Sequence, residues 1–167
     1  QVVYLNTFSK TIAPSIRISF MVPPRHLLAD FQEKLGFYAC TVSAFEQYTL
    51  ASFLSGGYYE KHLSRMRKHY RQKRDAVIGA VRQSSLADRA TITEEDAGLH
   101  FLLRLDGAPP DDVLRREAEA RGVRLAMLSD YYQQPEDAPQ HVLVVNYTGI
   151  DIEKLPAALE RLAELWR

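Results

Sequence analysis

The chain has 167 residues, enough for one domain or parts of two. Hydrophobic residues make up 46% and charged residues 25%, a composition able to bury a core, and 21 Lys plus Arg balance 21 Asp plus Glu, so bulk charge selects neither nucleic acid nor an anionic membrane. The one cysteine, Cys40, cannot form an internal disulfide, which points to a reducing, cytoplasmic setting. No apolar run approaches the roughly 20 residues that span a bilayer, and no signal-peptide layout is present. The sequence opens on Gln1-Val2-Val3-Tyr4-Leu5, without Met and inside what reads as a buried strand, so a piece of a longer protein is expected.

In chain order, residues 2–5 are β-branched and aromatic and predict a strand. Residues 6–14 are small and polar and predict a loop ending at Pro14. A second strand is expected over 16–22, stopped by Pro23-Pro24. Leu27, Leu28, Phe31 and Leu35 lie at helical spacing within 25–35. A helix over 43–54 starts at Ser43, with Glu46 completing a capping box, and Gly56-Gly57 breaks it. A long helix covers about 58–81. Strands at 91–93 and 100–105 follow, separated by Glu95-Asp96-Ala97-Gly98. A helix over 111–121 is N-capped near Asp111 and ended by Gly122. Then come a short strand at 123–127, a polar loop at 131–139, a strand at 141–147 and a last helix over 151–166, whose start Pro156 leaves open. The second half is thus a small α+β unit. The seam falls within the long helix, and the expected division is 1–57 and 58–167.

Chemistry concentrates in residues 4–22. A deprotonated lysine can attack an aldehyde, and hydroxyls with a fixed cation can hold a phosphate. Lys10 sits in the loop after the first strand, Thr7 and Ser9 supply hydroxyls within three residues, and Arg17 follows beyond Pro14. If the two strands pair like a hairpin, the loop brings Arg17 back beside Thr7 and Ser9, and one loop makes a phosphate pocket. The ordinary alternative is a solvated loop lysine.

The stretch Thr7-Phe8-Ser9-Lys10-Thr11-Ile12-Ala13-Pro14-Ser15-Ile16-Arg17-Ile18-Ser19-Phe20 resembles the lysine segment of the fold type I pyridoxal-phosphate (PLP) aminotransferases. It is most similar to the version in MocR-type regulators of the GntR family, where Thr-Phe-Ser-Lys precedes Leu-Ala-Pro-Gly-Leu-Arg. The likeness continues through Val42-Ser43-Ala44-Phe45-Glu46-Gln47, Gly57-Tyr58-Tyr59-Glu60-Lys61-His62-Leu63, Ala97-Gly98-Leu99-His100-Phe101 and Ser129-Asp130-Tyr131-Tyr132. It implies an α/β fold of type I: the end of the large PLP-binding domain, then a small α+β C-terminal domain. It implies Lys10 as the catalytic Schiff-base lysine, with Thr7, Ser9 and Arg17 on the cofactor phosphate. It implies a homodimeric full-length protein that takes an amine or amino acid and reaches DNA only through a preceding winged-helix domain.

Two departures stand out. Ser15 replaces a usual glycine, so a different backbone conformation is expected there. Val144 stands where such aminotransferases often carry a substrate-carboxylate arginine, which removes a bidentate partner and speaks against ordinary transamination. Arg104 and Arg124 read as solvated charges. The basic run Arg65, Arg67, Lys68, His69, Arg71, Lys73, Arg74 reads as a solvated helix face, and the five histidines show no zinc spacing. Cys40 reads as a packed small residue, and Tyr131-Tyr132 line an entrance or an interface. Three functions follow: the effector-sensing part of a MocR-type regulator, a PLP aminotransferase acting on an amino acid, or a cofactor-free interaction domain in which Lys10 is incidental.

Overall fold

The computed structural model describes residues 2–96 and 98–166; Gln1, Arg167 and Ala97, in the expected turn at 95–98, lie outside the described residues. Two compact units are present, Gln1–Arg67 and Lys68–Arg167, so the division falls inside the long helix.

In the first unit, β1 (Tyr4–Thr7) pairs antiparallel with β2 (Ser19–Val22), Tyr4 opposite Val22 and Thr7 opposite Ser19. Both strands start later than their hydrophobic runs suggest. The carbonyls of Ile16 and Ile18 accept from the Ser9 and Thr7 hydroxyls, and the Ile18 carbonyl also accepts from the Phe8 N–H, so side chains replace part of the ladder. The reading of a buried first strand is corrected: Leu5 is 70% exposed, and no described residue of this unit is buried. After Pro23-Pro24 a short 3-10 turn, Arg25–Leu27, precedes α1 (Leu28–Leu35), because the Leu27 N–H bonds the Pro24 carbonyl. The α2 helix (Ala44–Ser55) begins as expected. Ser43 Oγ accepts from the Glu46 N–H at 3.2 Å, and the Glu46 carboxylate accepts from the Ser43 N–H at 3.2 Å. Gly57 ends it at φ +69°, a left-handed turn that a side chain would strain.

The α3 helix (Tyr58–Gln83) has 26 residues, about 39 Å at the standard rise. Its C-terminal part supplies Val77, Ile78 and Val81 to the core of the second unit. That core lies on one face of an antiparallel sheet of order β3-β4-β5: β3 (Ala90–Thr93), β4 (His100–Leu105) and β5 (Val142–Asn146). In β4, Phe101, Leu103 and Leu105 are buried while His100 and Arg104 are exposed, the alternation of a sheet with one covered face. The helices α4 (Asp111–Ala120) and α5 (Leu155–Ala163) bury Leu114, Ala118, Leu159 and Leu162 in the same core. Gly122, at φ +76°, closes α4: its N–H bonds the Glu119 carbonyl and the Val123 N–H bonds the Ala118 carbonyl, both at 2.9 Å.

Several sequence expectations in this unit change. No strand forms over 123–127; Met127 makes a lone antiparallel bridge to Leu143. The loop at 131–139 contains a 3-10 turn at Pro135–Asp137, and another at Leu128–Tyr131 leads into it. The last helix starts at Leu155, with Pro156 in its first turn where its missing N–H costs no helical bond, and tightens to a 3-10 turn at Glu164–Trp166. Asp111 does not cap α4; Pro110 holds that position without a side-chain bond. The Asp111 carboxylate is instead buried, accepting from Ser129 Oγ at 2.7 Å and from the His141 N–H at 2.8 Å. His141 has φ +63°, and its Nδ1 lies 3.0 Å from the Pro109 carbonyl oxygen. One carboxylate thus pins both ends of the irregular 129–141 segment to the start of α4.

Asp111→Ala leaves a buried hydroxyl and a backbone N–H without an acceptor, and chemical denaturation of the chain is expected to show a loss of about 2–3 kcal/mol. Asp111→Asn keeps an acceptor and is expected to lose less; equal losses for the two would contradict the pinning role. Tyr147 is buried and its hydroxyl donates to the Gly98 carbonyl at 2.6 Å; burial raises its pKa, against the nearby Arg74 charge that lowers it. For an acid raised on folding, the stabilisation is complete below the ordinary tyrosine range and is lost as pH climbs through the raised value. Tyr147→Phe is expected to cost about 1 kcal/mol at neutral pH and to flatten the alkaline limb of a stability–pH curve.

Candidate functional site

The segment between β1 and β2 is held by its own polar groups. Phe8 starts one helical turn: its carbonyl accepts from the Thr11 N–H at 3.1 Å and the Ile12 N–H at 2.8 Å, with Lys10 inside the turn. A second turn, closed by the Ile16 N–H on the Ala13 carbonyl at 3.0 Å, places Pro14 at its first corner, where a fixed φ is favoured. Ser15 has no left-handed φ, so the serine stands there without backbone strain. The Phe8 ring lies 5.5 Å from Phe20 and 6.1 Å from Tyr59, and Tyr59 lies 6.4 Å from Phe53. These rings tie the loop to β2, α2 and the first turn of α3.

Within this loop Thr7, Ser9 and Arg17 come together. Thr7 Oγ1 is 3.2 Å from Ser9 Oγ, and Arg17 Nη1 donates to Ser9 Oγ at 3.3 Å. Both hydroxyls also reach carbonyls: Ser9 Oγ donates to Ile16 O at 2.6 Å, and Thr7 Oγ1 lies 3.2 Å from Ile18 O. Arg17 is exposed and has no ion pair among the described residues. Lys10 is exposed, one residue beyond Ser9, and likewise has no ion pair among them. Two hydroxyls and a guanidinium gathered around Ser9 Oγ are donors of the kind a phosphate monoester takes, and Lys10 in the same loop carries the primary amine an aldehyde takes, so the residues fit pyridoxal phosphate.

Other sequence candidates fall elsewhere. Val144 lies opposite Leu102, on the sheet face away from the core. Arg104 pairs with Asp106 at 3.1 Å; Arg124 has no ion pair or hydrogen-bond partner among the described residues. In the basic run, Lys73 donates to the Thr148 carbonyl at 2.8 Å, and Arg74 bonds Asp75 and Asp96, which hold its guanidinium more firmly protonated. Cys40 is exposed rather than packed, with Gln47 Nε2 3.7 Å from its Sγ. Tyr131 and Tyr132 are exposed. Among the described residues no three His, Cys, Asp or Glu side chains gather as a metal site, and no helix is long and apolar enough to cross a membrane. Sequence reasoning missed the Asp111–Ser129–His141 cluster, whose members are 18 and 30 residues apart from Asp111 and carry no local motif.

No family model matches the chain. Curated relatives do. The chain is 35% identical over 166 residues to the HTH-type transcriptional regulator YhdI of Bacillus subtilis, and 36% identical over 163 residues to the probable rhizopine catabolism regulatory protein MocR of Rhizobium meliloti. These alignments cover 99% and 97% of this chain but 35% and 32% of those proteins, so the chain spans about a third of the length of the relatives it matches. It is 26% identical to aromatic-amino-acid aminotransferase 1 of Thermococcus litoralis over 98% of its length. The crystal structure of Pyrococcus horikoshii kynurenine aminotransferase, described in complex with PMP, superposes with a TM-score of 0.79 at 27% identity, covering 98% of this chain and 40% of that one. The fold is therefore that of the fold type I PLP-dependent aminotransferases. Its homologues include HTH-type regulators, MocR among them, and aminotransferases.

Because the Ser9 hydroxyl joins both the Ile16 carbonyl and Arg17, Ser9→Ala is expected to loosen the loop at two points. Faster amide exchange across residues 11–18, with exchange in β3–β5 unchanged, is the expected outcome; unchanged exchange at 11–18 would show that the turns hold without the hydroxyl.

Proposed function

We propose that the chain is the cofactor-bearing part of an aminotransferase-like effector domain in a MocR-type transcription regulator, with pyridoxal phosphate attached at Lys10. The observation that carries the reading is the contact of both Thr7 and Arg17 with Ser9, in the same loop as Lys10. When bound, pyridoxal phosphate supplies an aldehyde that condenses reversibly with primary amines. Lys10 would provide the primary amine on which the cofactor is held. Arg17 presents a planar donor pair to the phosphate, and rotation of the Thr7 and Ser9 hydroxyls away from the Ile18 and Ile16 carbonyls adds two more donors.

In the whole protein, an amine or amino acid that exchanges with Lys10 acts as effector by binding one conformation better than another. DNA contact then belongs to a helix-turn-helix domain outside this chain, in a cytoplasmic homodimer. Val144 favours sensing over turnover, since an apolar side chain there offers a substrate carboxylate no partner. The second reading, a PLP aminotransferase acting on an amino acid, rests on the 26% identity to the Thermococcus enzyme and the structural likeness to kynurenine aminotransferase.

The test uses the longer protein. After loading with pyridoxal phosphate and reduction with borohydride, peptide mass mapping is expected to find the label on Lys10, and Lys10→Ala is expected to abolish it. Arg17→Ala is expected to weaken cofactor retention by roughly 10- to 100-fold, as loss of a charge-assisted bond does. A label on another lysine, or none, overturns the attachment. Robust transamination of amino acids by the same preparation would favour the second reading.

A further inference from the structure

The segment 123–127 carries a strand's alternation but meets β5 only at its end, where Met127 bridges Leu143 and the Val144 N–H donates to the Ala126 carbonyl at 2.8 Å. Beside it, a cavity of about 650 Å³ opens between residues 122–126, β5 and α5, wholly within the second unit. That volume is typical of small-molecule sites. Its walls are apolar: Val123, Leu125, Val145, Ile150 and Leu155 are half-buried and pack on the core.

The charges on its lining are lopsided. Asp151 and Lys154 form a pair at 3.4 Å. Burial raises the Asp151 carboxyl, but the Glu153 N–H and Lys154 outweigh it and leave its pKa below the usual value. Arg124, exposed between the half-buried Val123 and Leu125, is also among the residues that line the cavity and has no hydrogen bond or ion pair among the described residues. With the single carboxylate already matched, Arg124 is the uncompensated charge beside half-buried apolar walls. A cation would meet repulsion there, a zwitterion would find no free carboxylate for its ammonium, and a polyanion would find only one spare cation.

We propose that this cavity binds a small amphipathic carboxylate, an aryl- or alkyl-alkanoate whose apolar body lies against Val123, Leu125 and Val145 and whose carboxylate pairs with Arg124. The site shares no residue with the Lys10 loop, so it stands or falls independently of the cofactor.

The test titrates 4-phenylbutyrate into the ¹⁵N-labelled chain and follows amide shifts, with 4-phenylbutan-1-ol and 4-phenylbutylamine as neutral and cationic counterparts. Saturable shifts confined to residues 122–126, 144–151 and 154–162 are expected, strongest for the carboxylate and weakest for the amine. Arg124→Gln is expected to lower the carboxylate's affinity about tenfold and leave the alcohol's unchanged. Ala158→Trp, which fills the cavity from α5, is expected to abolish binding of both. If Ala158→Trp fails to fold, the Arg124→Gln comparison decides alone. Non-saturating shifts, equal affinity for all three probes, or equal binding by Arg124→Gln overturns the proposal. So does slow amide exchange across 123–125 in the free chain, which would mean that the segment closes onto β5 as a strand.

Discussion

The second unit depends on the burial of one face of its central strand. Phe101, Leu103 and Leu105 are almost wholly removed from water, and the period of two that sends them inward sends His100 and Arg104 outward. Helices α3, α4 and α5 contribute to that core because each carries an apolar stripe with no other place to be buried. Once the strand is covered, irregular chain around it must satisfy its polar groups locally. The Asp111 carboxylate does this for Ser129 and His141, and it holds His141 in a left-handed backbone conformation that a residue with a side chain rarely adopts.

The first unit is organised differently. No described residue in it is buried, so its shape rests on polar closure and on a chain of aromatic contacts through Phe8, Tyr59 and Phe53. The Ser9 and Thr7 hydroxyls occupy carbonyls that would otherwise extend the β1–β2 ladder. The same bonds gather the hydroxyls against Arg17. One set of side chains therefore both closes the loop and gathers its hydroxyls beside a guanidinium.

Where sequence and structure part, the cause is tertiary in each case. The alternation of residues 123–127 is genuine, but a strand needs a partner along its length, and this segment meets β5 only at Ala126 and Met127. Asp111 sits beside a helix start and has the chemistry of a cap, yet two distant donors claim its carboxylate. The first strand is apolar enough to predict burial, but the described residues leave Leu5 70% exposed.

The sequence alone determined what depends on neighbours a few residues apart: the Ser43–Glu46 capping box, the glycine end of α4, the alternation of β4, and the Thr7-Ser9-Lys10-Arg17 spacing with the family likeness it carries. These are legible because turn and cap chemistry and side-chain periodicity act over a few residues. Only the tertiary structure decided that a hairpin returns Arg17 to Ser9, that Asp111 pins two remote segments, and that a largely unpaired stretch beside β5 leaves a cavity with Arg124 on its lining. Those outcomes turn on which distant groups compete for each hydrogen bond and each buried surface, and no local pattern encodes that competition.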